Sequence, residues 1–134
     1  MAGGLETKSD LIHDASFDDG VLRVSVDGEV DLHNSPRLRD DLLRLAKDKQ
    51  PDRVELDLAG VPYMDSSALA VLVELLKTVR NGSSGGHEGG SKVKLLNLQP
   101  RVGGLLHIAR LDAIFDLHEA NKSDEAKSDS VDAA

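Results

Sequence analysis

The chain has 134 residues, a formal net charge of −8 at pH 7, 40% hydrophobic residues and only 2% aromatic ones. That suits one domain whose core is built from leucine, valine, isoleucine and alanine. The absence of cysteine excludes a disulfide framework and a thiolate zinc site, and the acidic balance argues against direct binding to nucleic acid or to an anionic membrane.

Residues 1–10 are small and polar and read as a flexible lead. They lack the apolar stretch of a secretory signal, and no run elsewhere approaches the roughly 20 apolar residues of a membrane span. Membrane insertion is therefore not expected, and the expected location is the cytoplasm. Residues 11–17 read as a first strand and Asp18-Asp19-Gly20 as a turn. Val21-Leu22-Arg23-Val24-Ser25-Val26 alternates, with Leu22, Val24 and Val26 on one face, so the two strands form a hairpin. After a polar stretch interrupted by Val30 and Leu32, Ser35 reads as an N-cap and Pro36 as the first helical residue. Leu38, Leu42 and Leu45 fall at helical spacing, and Lys47, Lys49 and Pro51 mark the stop.

Arg53-Val54-Glu55-Leu56-Asp57-Leu58 alternates again. A second helix is predicted over 66–80, with Leu69, Leu72, Val73, Leu76 and Val79 as its principal apolar stripe and Asn81-Gly82 as its end. Residues 81–91 form a Gly/Ser-rich internal loop. The glycine spacing of Gly85 and Gly90 resembles a phosphate loop, but Ser91 stands where that loop requires lysine, so the nucleotide reading is rejected. Residues 93–98 are a further strand. Pro100 opens a third helix carrying Val102, Leu105, Leu106, Ile108 and Ala109, weakened by Gly103-Gly104. Residues 114–117 read as a last short strand, and 119–134 as an acidic, disordered tail. The fold class is α/β, with a mixed, mostly parallel sheet packed against helices in the order β-β-α-β-α-β-α-β.

The stretch from Val61 to Leu69 concentrates several helix-start signals. Asp65 is a good N-cap, because its carboxylate can accept backbone N–H groups that the first turn leaves unpaired. Met64 and Leu69 have the spacing of a hydrophobic staple, and Pro62 keeps Val61 extended. Two hydroxyls, Ser66 and Ser67, then stand at the first helical positions, where negative charge is tolerated. On local chemistry alone a capped helix explains these residues. Helical periodicity aligns Ser67 with Glu74 and Thr78 and so makes Ser67 the exposed hydroxyl.

Three patterns together resemble a STAS domain of the bacterial anti-sigma factor antagonist type. They are Gly28-Glu29-Val30-Asp31 followed by Ser35-Pro36; Val54-Glu55-Leu56-Asp57-Leu58 running into Tyr63-Met64-Asp65-Ser66-Ser67; and Leu98-Gln99-Pro100-Arg101-Val102 followed by Ile108-Ala109-Arg110-Leu111-Asp112. The resemblance implies a single STAS domain over 11–118. It implies a non-enzymatic partner switch: the unphosphorylated protein binds an anti-sigma factor that is also a serine kinase, phosphorylation of Ser66 releases it, and a serine phosphatase restores it. Ser66 is then the modified residue, with Ser67 the second choice, and Asp31, Tyr63, Met64, Asp65, Ser66 and Ser67 form the partner-binding surface. The sequence departs from that family at Ala68, where glycine is usual, and in the length of the 81–91 loop. A second reading is a constitutive STAS scaffold subunit of a bacterial lipid-transport ATPase complex, in which the serines act only as caps.

No cofactor or metal is expected. His13, His33, His87, His107 and His118 show no ligand spacing, no nucleophile elbow is present, and Asp27, Glu29 and Asp31 read as a solvated loop face. Tyr63 is equally a partner contact or a cover for the loop.

Overall fold

The structure, a computed structural model, describes residues 5–82 and 92–120. Strand β1 (Ile12–Asp18) turns antiparallel into β2 (Val21–Asp27), and helix α1 (Ser35–Lys49) leads to β3 (Arg53–Gly60). Helix α2 (Ser66–Gly82) leads to β4 (Val93–Leu98), and α3 (Pro100–Ile108) with a 3₁₀ turn (Leu111–Ala113) leads to β5 (Asp116–Glu119). The strands lie side by side in chain order, and β2 to β5 are parallel. Each crossover therefore advances one strand in the same direction, and right-handed connection puts the three helices on the same face.

Burial follows from that layering. Leu22, Val24, Val54, Leu56, Val93 and Leu95 point to the helices and are almost wholly buried. The opposite face is polar, as expected of a sheet solvated on one side. Arg23, Glu55, Lys94 and Asp116 stand in register across four strands with alternating charge, and Arg23 Nε donates to Glu55 Oε1 at 3.1 Å. The hairpin turn has positive φ at both Asp19 (54°) and Gly20 (80°), the geometry for which an Asp-Gly pair is suited.

Several expectations are corrected. Asn34, not Ser35, is the residue before α1, and Ser35 is helical and buried. The helix α2 runs through Asn81 and Gly82 rather than ending before them. The last strand starts at Asp116, because a 3₁₀ turn takes the residues before it. Residues 5–10, expected to be a loose lead, are held down. The Asp41 carboxylate, 2% exposed on α1, accepts the backbone N–H groups of Lys8 (2.9 Å) and Ser9 (2.6 Å). In β4, Asn97 adopts φ +57°, a bulge that Asn tolerates. It shifts the strand by one residue, so that Leu95 and Leu98 both face the core. Residues 83–91 and 121–134, and with them most of the Gly/Ser-rich loop and the acidic tail, lie outside the described residues.

The covered stripe of α2 is also rotated from its expected position. Ala68, Val71, Leu72, Leu75, Leu76 and Val79 are buried, whereas Leu69 and Val73 are half-buried and Ala70 is exposed. Helix α1 packs along one side of α2, while α3 stands off the other. A groove of about 480 Å³ lies between them, walled by Leu69, Val73, Ala109 and Leu111.

Candidate functional site

The loops at the carboxyl ends of β2 and β3 join to form one corner, the edge of an open α/β sheet where ligands and partners usually meet the fold. Gly28 N–H donates to Gly60 O at 2.8 Å, Val30 N–H to Tyr63 O at 3.1 Å and Asp65 N–H to Val30 O at 3.1 Å. Val30 and Met64 thus form a parallel bridge beyond the named strands. Both side chains are buried, so the bridge fixes the 61–65 loop from beneath. Gly60 lets the Asp27 carboxylate sit against this backbone: a Cβ would fall 2.1 Å from Asp27 Oδ1 and force that side chain to move.

Asp31 organises the first loop. Its Oδ1 accepts the backbone N–H of His33 (2.9 Å) and of Asn34 (3.1 Å), while Asn34 Oδ1 accepts the Asp31 N–H (2.8 Å). The two side chains bond each other's backbone and close the loop, while the start of α1 itself carries no side-chain cap. Asp31 is half-buried and engaged in these bonds; the exposed positions of the loop are Glu29, Leu32 and His33.

Asp65 caps α2 as its position predicts. Its Oδ1 accepts the Ser67 backbone N–H at 2.9 Å and also the Ser67 hydroxyl. Those bonds hold its carboxyl below the usual carboxylate range: the Ser67 hydroxyl first, opposed by partial burial, then the backbone N–H groups of Ser67, Leu32 and Ala68. Ser67 is consequently half-buried with its hydroxyl engaged. Ser66 is exposed, and its hydroxyl has no hydrogen-bond partner among the described residues. The rotation of the α2 stripe explains the difference from helical periodicity: Ser66 lies on the Leu69–Ala70–Val73 side, which is only partly covered among the described residues.

Ala68 is 3% exposed. Its methyl enters the core and adds nothing to the surface around Ser66.

Ser66 opens onto a second groove of about 460 Å³ between Tyr63, Met64 and Asp65 on one side and Arg101, Leu105 and Ile108 on the other. The large apolar side chains exposed among the described residues gather here: Ile108 (82%), Leu32 (74%) and Tyr63 (37%). Ile108 and Tyr63 wall the groove, and Leu32 bonds Asp65 through its backbone. Ile108, one of the apolar residues that the third helix carries, is exposed rather than packed. Its partners along the helix, Arg101 and Gly104, mark an open face at i−7 and i−4 that the sequence did carry. Arg101 and Leu32 were missed as site residues because each meets the Asp65–Ser66 corner only through contacts between residues far apart in the chain.

Among the described residues no group of three or more potential ligands could hold a metal ion, and no helix is long and apolar enough to cross a membrane.

Residues 14–126 match the STAS domain model, the class that the sheet order and this corner define. Over 104 residues the chain is 35% identical to the anti-sigma-B factor antagonist of Bacillus subtilis (strain 168), covering 78% of this chain and 87% of that protein. The chain belongs to the STAS-domain family of anti-sigma factor antagonists. That designation is regulatory rather than enzymatic. The fold superposes on an anti-sigma factor antagonist from Mycobacterium paratuberculosis with a TM-score of 0.65 at 23% identity, covering 88% of this chain and 94% of that one. It also matches the Bacillus antagonist SpoIIAA in two states. The unphosphorylated form gives a TM-score of 0.57 at 13% identity over 84% of this chain and 91% of that one. The phosphorylated form gives 0.56 at 14% identity over 81% and 92%.

Proposed function

We propose that this protein is a phosphorylation-controlled partner switch in the cytoplasm. Unphosphorylated, it binds an anti-sigma factor with serine-kinase activity through the corner formed by Leu32, Tyr63, Asp65, Ser66 and Ile108. The kinase modifies Ser66: the Oγ–phosphorus bond forms, the bond from the γ-phosphorus of ATP to ADP breaks, and the serine proton leaves to solvent or a kinase base. A serine phosphatase reverses the change.

The observation that carries this reading is the contrast between two adjacent hydroxyls. Ser67 is held by Asp65, whereas Ser66 is exposed and unengaged. A phosphate on Ser66 adds about −1.5 to −2 charges beside the Asp65 carboxylate, on a surface that a partner must desolvate. The helix start tolerates that anion, so the domain keeps its fold while the complex is lost. The SpoIIAA pair supports this, since its two phosphorylation states resemble this chain equally well. A binding difference of about 5.5 kcal/mol would carry such a switch from 1:99 to 99:1.

The test is incubation with ATP and the kinase that co-purifies with the chain, followed by mass-spectrometric mapping. Phosphate at Ser66 is expected. Ser66→Ala is expected to keep kinase binding and Ser66→Asp to weaken it. Equal affinities in a titration, or co-purification with an ATP-binding cassette protein and no phosphate, would replace the switch by the scaffold role.

A further inference from the structure

The groove beside Ser66 holds two charged side chains, Asp65 and Arg101. Asp65 is already engaged by the α2 start. Arg101, in the first turn of α3, is exposed, and its guanidinium carbon lies 5.2 Å from the centroid of the Tyr63 ring. It has no carboxylate partner among the described residues. Tyr63 is three residues before Ser66, so the stacked guanidinium and the free hydroxyl share one small space. One turn beyond Arg101, Gly104 leaves that space open: a Cβ there would meet nothing within 4 Å. An exposed cation on a ring is held weakly, whereas a guanidinium offers a dianionic phosphate a bidentate, charge-assisted pair.

We propose that Arg101 is the intramolecular receptor for a phosphate on Ser66, leaving the Tyr63 ring to pair with the phosphate oxygens across the groove. The inference rests on the reading of Ser66 as the modified residue and adds a consequence to it. Phosphorylation then does more than repel: it bridges α2 to α3, occupies the groove and uncovers Tyr63. No covalent bond changes beyond the Ser66 ester itself.

The experiment uses the full chain with phosphoserine installed at position 66 during translation, so that no kinase is needed. The phosphate is titrated by phosphorus NMR in the otherwise native chain and in the Arg101→Gln and Arg101→Lys backgrounds. Pairing favours the dianion, so the second phosphate proton should leave at a lower pH in the native background than in Arg101→Gln, by about 0.5 unit or more, with Arg101→Lys between. The Tyr63 ring resonances should shift on phosphorylation, toward those of unphosphorylated Arg101→Gln. Both substitutions are at an exposed position, and matching amide spectra elsewhere in the chain verify the fold. Superimposable titrations in the three backgrounds, or Tyr63 resonances that do not move, would overturn the role of Arg101 and leave Ser66 as the modified residue. Kinase-delivered phosphate mapped to another residue would instead overturn the underlying reading, whatever Arg101 does.

Discussion

The Ser67 hydroxyl donates to the Asp65 carboxylate, and that bond decides which of two neighbouring serines is available. A hydroxyl already donating to a carboxylate, on a half-buried residue, must break that contact before it can enter a kinase site. Ser66 has nothing to break. We expect Ser66→Ala to abolish phosphate incorporation and Ser67→Ala to retain it, with a melting temperature lowered by a few degrees from the lost capping bond. Radiolabel incorporation and thermal melts of both variants check this. Labelling that survives Ser66→Ala but not Ser67→Ala would reverse the assignment.

Asp65 gives the same site a pH dependence. Its folded carboxyl lies below the usual carboxylate range, through the Ser67 hydroxyl first and then the backbone N–H groups. A carboxyl depressed by folding stabilises the native state above its unfolded pKa, and that contribution fades as pH falls through the folded value. Glu74 acts in the same sense, held down by its bonds to Arg39. The stability difference between the native chain and Asp65→Asn, measured by urea unfolding, should be constant at neutral pH and shrink below about pH 4. A difference that grows on acidification contradicts the cap.

How much of this was legible beforehand depends on what each residue reports. Alternating runs such as Arg53-Val54-Glu55-Leu56 report their own burial, so the strands and their order were readable. The Asp65 cap was also readable, because its helix-start partners Ser67 and Ala68 lie within three residues of it; the added bond from the Leu32 backbone was not. The exposure of Ser66 was not legible from periodicity. It depends on α3 standing away from α2, a relation between elements far apart in sequence. The same separation hid the neighbourhood of Arg101 and Tyr63, 38 positions apart in the chain. Asp41 was hidden differently: an acid on an amphipathic helix reads as solvated, and only the returning backbone of Lys8 and Ser9 makes it a buried anchor.

That anchor can be cut. Asp41→Ala leaves the N–H groups of Lys8 and Ser9 without their acceptor and removes one of the two partners of Arg44 Nη2, at 3.2 Å, leaving the Glu6 carbonyl at 2.9 Å. Unmade bonds to a buried charged group cost about 2–4 kcal/mol. We expect a lower urea midpoint, together with faster amide exchange at residues 5–10. Unchanged exchange there would show that the segment is held by its other contacts, such as Leu5 N–H to Ala15 O and Arg44 to Glu6 O, rather than by Asp41.

Gly60 links the sheet to the loop that carries Met64 and Asp65. An alanine Cβ would lie 2.1 Å from Asp27 Oδ1 and 3.3 Å from Asp27 Cα. The carboxylate must therefore move, and the pairing of Asp27 with Gly60 is strained. Gly60→Ala should destabilise by about 1–3 kcal/mol. Because the loop to Met64 starts at this point, it should also slow phosphorylation of Ser66. Adding Asp27→Ala removes the clashing oxygen, so the double variant should recover part of the loss, and a double-mutant cycle measures that coupling. Strict additivity would show that the backbone contact, not the carboxylate, sets the penalty.

Leu32 and Ile108 separate binding from folding. Both are large, apolar and mostly exposed, at 74% and 82%, so neither adds much to the core. Replacing either by serine should change unfolding free energy by no more than about 0.5 kcal/mol. Ile108 nevertheless lines the groove beside Ser66, and the Leu32 backbone bonds Asp65 next to it; burying either side chain against a partner would contribute about 1.5–3 kcal/mol. Leu32→Ser and Ile108→Ser should therefore weaken kinase binding roughly tenfold or more with an unchanged melting temperature, measured by calorimetric titration beside thermal melts. Full affinity in both variants would place the interface elsewhere on the domain, and a lowered melting temperature would mean that these side chains pack against the fold rather than await a partner.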